Sequence, residues 1–193
     1  MRSSGSNVPA RFADRTLGGY EAATPSQLAA LAAANAVLRG EVKNLVLIGA
    51  PGVGKTHLAA GIANACRFPF RWVNVADALA SMRLEMGLPL ADRDATLSLR
   101  AAGAHQGLVV LDDLGRENTT DWTGELVYTI VNARYEAMLP TIVTSNRTAA
   151  DLRNGPYWTA VSRLAEDGRL IEVIGSDRRL RRPDPHLAPD GTT

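Results

Sequence analysis

Apolar and polar positions follow two rhythms along this chain. Compact runs rich in aliphatic and β-branched residues recur near 44–49, 70–75, 107–112, 140–144 and 169–174, and each reads as a strand. Between them, the stretches 55–66, 76–86, 92–103 and 122–138 read as helices. An alanine-rich helix precedes the first strand. Thr24 suits its N-cap, Pro25 then falls at the first helical position, where its missing N–H costs nothing, and Gly40 ends it after Leu38. Strands alternating with helices predict an α/β fold, with a mainly parallel five-stranded sheet flanked by helices.

The first strand runs into Gly49, Ala50, Pro51, Gly52, Val53, Gly54, Lys55 and Thr56, and a helical stretch continues from His57. Strand, glycine-rich loop and helix in that order are the context a phosphate-binding loop requires. The glycines let backbone N–H groups turn toward phosphate oxygens, and the helix N-terminus adds a favourable dipole. Lys55 would reach the β- and γ-phosphates of ATP, and the Thr56 hydroxyl would sit on Mg²⁺.

Downstream, a buried-type strand ends in two carboxylates, Asp112 and Asp113, followed by Leu114 and Gly115. Strand carboxyl ends face the ligand crevice of a parallel sheet, so this acidic turn is expected beside the nucleotide. Asp112 is suited to hold Mg²⁺, directly or through water. Asp113 is the candidate for orienting the attacking water. A further strand, from Pro140 to Ser145, delivers Asn146, a hydrogen-bonding side chain for that water or the γ-phosphate; as a plain helix cap or turn residue it would need no ligand.

Composition narrows the class. At 193 residues the chain suits one domain with a substantial core, and its 46% hydrophobic content is that of a globular protein. A formal net charge of +1 gives no whole-molecule attraction to nucleic acid, so any such contact must come from a local patch. No apolar run approaches membrane-spanning length, and no signal-peptide core follows Met1. The single cysteine, Cys66, excludes an internal disulfide and fits a reducing, cytoplasmic setting. His57, His105 and His186 stand apart, without paired metal ligands.

Several short blocks then occur in a fixed order: Gly54 to Ala59 (Gly-Lys-Thr-His-Leu-Ala), Leu111 to Gly115 (Leu-Asp-Asp-Leu-Gly), Asp121-Trp122, Asn132 to Tyr135, Pro140 to Asn146 and Ser162-Arg163-Leu164. Together they resemble the DnaC/IstB group of AAA+ ATPases, which comprises helicase loaders and transposon ATPases. The resemblance covers roughly residues 40 to 180, and His57 together with the Asp-Asp pair are its more discriminating details. It implies an AAA+ core without a full C-terminal lid domain, and a sensor-1 role for Asn146. Arg163 matches the arginine finger, which acts on the nucleotide of a neighbouring subunit. Arg179 matches the sensor-2 arginine, with Arg178 as the alternate. Asp113, in place of the glutamate usual in AAA+ proteins, implies slow turnover.

The resemblance also implies a job: ATP-driven, head-to-tail assembly into a spiral or ring on single-stranded DNA, loading a replicative helicase. An IstB-like transposition ATPase and a non-hydrolysing nucleotide-dependent adaptor remain as alternatives. In the loader group a helix after the second strand contacts DNA. It maps near Ala76 to Leu90 and offers Arg83, with Arg93 nearby, while Leu79, Met82 and Met86 at helical spacing equally suit a core. The expected organisation is a flexible N-terminal arm over 1–23, an ATPase core over 24–175, and a basic, proline-rich tail over 176–193.

Overall fold

The computed structural model describes residues 8–89, 92, 94–117 and 120–181. Strands β1 (Asn44–Ile48), β2 (Phe70–Asn74), β3 (Leu108–Leu114), β4 (Thr141–Ser145) and β5 (Gly168–Glu172) form one sheet in the order β2-β3-β4-β1-β5. Every pairing is parallel, as the strand–helix alternation predicts. The helices are α1 (Pro25–Leu38), α2 (Lys55–Ala65), α3 (Val75–Leu84), α4 (Asp94–Ala104), α5 (Asp121–Glu136), α6 (Ala149–Arg153) and α7 (Trp158–Glu166).

Successive strand residues face opposite sides, and the two sides make two cores. Leu45 and Leu47 of β1 join Leu108, Val110 and Ile142 under α1 and α2. Val46 and Ile48 join Val109, Leu111 and Val143 under α3, α4, α5 and α7. Each fully buried Leu, Ile or Val contributes about 1.5–3 kcal/mol before chain entropy is set against it.

Local rules explain the helix starts. The Thr24 hydroxyl accepts from Gln27 N at 3.2 Å, and Pro25 opens α1, as the sequence predicts. Sequence reading did not single out α6 and α7. α6 is only five residues long and is set by a reciprocal cap between Thr148 and Asp151 rather than by apolar periodicity.

Residues 8–23, part of the segment expected to form a flexible arm, lie against α2. Asn64 Nδ2 donates to Phe12 O at 3.1 Å and to Arg15 O at 2.9 Å, and Leu17 and Tyr20 are buried. Beyond β5, the segment to Arg181 contains one short 3-10 turn, Arg178–Arg181; among the described residues no lid domain follows. Among them, too, no helix is long and apolar enough to cross a membrane.

One buried side chain ties the sheet to its helices. Arg134 of α5 is 0% exposed. Its guanidinium donates to Thr141 Oγ1 (2.9 Å), Ala102 O (3.1 Å), His105 O (2.7 Å), Gly107 O (2.7 Å) and Pro140 O (2.8 Å). Burial pushes its pKa down to about 10.

Candidate functional site

β1 and β4 are neighbours, yet the helix after β1 covers one face of the sheet and the helices after β4 the other. Their carboxyl ends therefore open the crevice where open α/β sheets bind ligands. The loop from Gly49 to Gly54 fills its lip. Gly49, Gly52 and Gly54 take φ of +132°, +79° and +104°, conformations that L side chains rarely adopt. At Gly49 a Cβ would also stand 2.4 Å from Val173 O. Gly54 caps α2 with no side-chain acceptor, which leaves the first-turn N–H groups to an anion.

Lys55 is 5% exposed, and its Nζ donates to Gly49 O (2.7 Å), Ala50 O (2.7 Å) and Asn146 Oδ1 (2.8 Å). Burial pushes its pKa down to about 8, with Asp113 and Asp112 opposing that shift and Arg179 adding to it. Thr56 Oγ1 and Thr144 Oγ1 both donate to Asp112 Oδ1, at 3.1 and 2.6 Å. Burial raises the Asp112 pKa, and those two hydroxyls hold it back.

Asp113 sits in an irregularity of the β3–β4 ladder between Leu111 and Leu114, at φ +62°. The kink turns its carboxylate toward Asn146, whose Nδ2 donates to Oδ1 at 2.5 Å, while Arg116 Nη1 reaches Oδ2 at 3.1 Å. Asn146 thus spans Lys55 and Asp113. Among the described residues no cluster of three or more His, Cys, Asp or Glu could cage a metal. Mg²⁺ bound with nucleotide takes only one or two protein oxygens besides phosphates and water, and the Thr56–Asp112 pair fits that need.

The remaining sequence candidates fall in different places. Pro51 is exposed at the loop tip, and Val53 is buried with its carbonyl accepting from Tyr20 Oη (3.2 Å) and Gln27 Nε2 (3.4 Å). His57 faces the N-terminal segment: its Nε2 is 3.0 Å from Thr16 O and its ring meets Tyr20 edge-on. Arg179 lies close enough to Lys55 to depress its pKa. Arg178 instead covers the Tyr20 ring at 4.4 Å, bonds Glu21 O, and donates its backbone N–H to Gly52 O. Arg163 is held on α5, against Asn132 Oδ1 and over the rings of Tyr128 (5.1 Å) and Tyr135 (5.4 Å), with no bond to the phosphate loop. Arg83 is exposed on α3, and Arg93 lies outside the described residues. Leu79 and Met82 belong to the core, whereas Met86 is 68% exposed.

Sequence reasoning passed over Thr144 and Arg116. Thr144 sat inside a run read only as a strand, and Arg116 follows the acidic turn with nothing local to mark it.

Lys55 makes the site pH-sensitive. Phosphate binds the charged amine, so nucleotide affinity should fall as pH rises through about 8, and binding near that pH should take up protons. Calorimetric titration in buffers of different ionisation enthalpy checks this; buffer-independent heats would contradict it.

A parallel sheet with this loop after β1 and paired carboxylates near the end of β3 defines the P-loop NTPase fold with an AAA+ core. The chain belongs to the IstB-like ATP binding protein family, whose profile matches residues 11–176. Among solved structures it is similar to the DnaC helicase loader, at 28% identity and TM-score 0.70 over 86% of this chain and 100% of that one. DnaI follows at 23% identity and TM-score 0.72, over 89% of this chain and 94% of that one. The replication initiator DnaA, bound to AMPPCP and single-stranded DNA, is 20% identical with TM-score 0.66, over 84% of this chain and 50% of that one. Among curated proteins none matches the chain.

Proposed function

We propose that this protein hydrolyses ATP at junctions between its own subunits and uses the nucleotide state to assemble on single-stranded DNA as a loader of a replicative helicase. The observation that carries the reading is the Asn146 bridge: one amide joins the phosphate-binding amine of Lys55 to the Asp113 carboxylate. A γ-phosphate entering there would exchange for the Lys55–Asn146 bond, leaving Asn146 and Asp113 to orient water for in-line attack. Asp112 and Thr56 would hold Mg²⁺, which supplies charge neutralisation across the β- and γ-phosphates. Backbone N–H groups from Gly49 to Thr56 would bind the phosphates, with Pro51 and Val53 shaping the loop and His57 fixing it to the N-terminal segment.

Arg179 would act on nucleotide in its own subunit and Arg163 on that of the next. A site completed by a neighbour's arginine favours a head-to-tail contact, which propagates as a ring or spiral. Residues 24–175 would form the ATPase core, with residues 8–23 packed against it and Arg179 added to its site from the segment that follows. Similarity to the DnaC helicase loader supports the loader reading, and the DnaA–single-strand complex supports DNA as the polymer. The family match favours one competitor, an IstB-like transposition ATPase acting on duplex DNA.

Fluorescence anisotropy of a labelled oligonucleotide separates the two. Single strands should bind at least about tenfold tighter with ATP and Mg²⁺ than with ADP, and weaken as salt rises. Arg83→Ala should shallow that salt dependence. Equal binding with both nucleotides, or preference for duplex, would sink the loader reading.

A further inference from the structure

Two polar side chains beside the site have no part in the phosphate chemistry. Glu117 lies in the turn leaving β3, and Tyr157 is the N-cap residue of α7. Tyr157 is 2% exposed, and its phenol donates a hydrogen bond to Glu117 Oε1. The same oxygen accepts Gly115 N at 3.2 Å. Glu117 Oε2 is buried with no hydrogen-bond partner among the described residues. Burial, and then the Glu117 carboxylate, push the phenol pKa up, so it stays a donor.

The acidic turn is thereby braced from two directions. From the end of β4 and the bend after it, Ser145 Oγ donates to Leu114 O at 2.6 Å and Arg147 Nε to Gly115 O at 2.7 Å. From the other side, Glu117 joins the turn to the N-cap residue of the helix that carries Arg163. One contact thus links the element bearing Asp113 to the element bearing the arginine.

We propose that Glu117 and Tyr157 are a positioning pair that sets together the geometry of a subunit's own acidic turn and of the Arg163 it lends to its neighbour. The proposal rests on the shared-site reading above.

Mixed assemblies test it end by end. Lys55→Ala subunits lend Arg163 but turn nothing over; Arg163→Ala subunits keep an intact loop and acidic turn but lend no arginine. Tyr157→Phe is introduced into one partner at a time, well below its measured melting temperature. Turnover should fall roughly fivefold from either side, because each end loses alignment rather than a reacting group. Glu117→Ala should match it, whereas Glu117→Gln, which keeps a carbonyl acceptor, should recover roughly half the unmodified rate. An effect from one side only, no effect, or equal losses for Gln and Ala would overturn the pair. Failure of the unmodified mixture to hydrolyse ATP would overturn the shared site itself, and the pair with it.

Discussion

Arg163→Ala should lower steady-state ATP turnover roughly 10³-fold while leaving nucleotide affinity within about threefold of wild type. The side chain makes no bond to its own phosphate loop; its partners, Asn132, Tyr128 and Tyr135, all lie on α5. Removing it should therefore leave the Lys55–Asn146–Asp113 constellation intact. On the proposed shared site, what disappears is charge aimed at a neighbour's transferring phosphoryl group, whose charge redistributes as the bond breaks. Two tyrosine faces and one amide hold the guanidinium in a fixed orientation, which limits the entropy lost on engagement. Lysine should rescue poorly, since it offers a point charge without the planar fork. Turnover and fluorescent-nucleotide titrations on one preparation check both halves. A large loss of affinity with unchanged turnover would assign Arg163 to binding in its own subunit.

Arg134→Leu should destabilise the fold by about 3–5 kcal/mol, because it strands buried acceptors that no water replaces easily. Four carbonyls and one hydroxyl, from the end of α4 and the approaches to β3 and β4, converge on this guanidinium. Arg134→Lys should recover part of the loss, since three donors on one atom cannot span acceptors arranged around a planar fork. At about 2–4 °C per kcal/mol for a chain of this size, the leucine variant should melt roughly 10 °C lower. Denaturant unfolding with an unchanged slope and a lower midpoint is the matching chemical signature. A melting point within about 2 °C of wild type would show that the network contributes little net stability.

The sequence discloses what depends on neighbours along the chain. The glycine loop, Lys55 and Thr56 are contiguous, and their strand–loop–helix setting is written in the apolar runs on either side. Asp112 was accessible too, because an apolar strand that ends in carboxylates must end at the crevice. The five strands and helices α1 to α5 followed from strand and helix patterning, whereas α6 and α7 did not. The supporting contacts were hidden because they join distant residues. Thr144 meets Asp112 across 32 positions, Tyr20 meets Val53 across 33, and Tyr157 meets Glu117 across 40. No local period encodes such pairs; they exist only once the sheet order is set. Arg134 is the sharpest case. An arginine on a helix reads as surface by default, and only the five convergent acceptors make it core.

The position of residues 8–23 has a similar origin. Their polarity suggests an arm, yet Leu17 fits against Gly61 of α2, where a Cβ would stand 2.7 Å from Leu17 Cδ2. A missing side chain on one element makes room for an apolar one on another, and that complementarity is invisible to either segment alone.

If ATP is hydrolysed between subunits, activity must follow assembly. Turnover per subunit should be measured against protein concentration, with and without single-stranded DNA, for wild type and for an equal mixture of Lys55→Ala and Arg163→Ala. The wild-type rate per subunit should rise with concentration and DNA, and the two variants should be inactive alone. Mixed, they should recover about one quarter of the wild-type rate, the share of head-to-tail junctions at which an intact site meets an intact arginine. A rate per subunit that is flat with concentration, together with a mixture as inactive as its parts, would place Lys55 and Arg163 at one nucleotide within a single subunit.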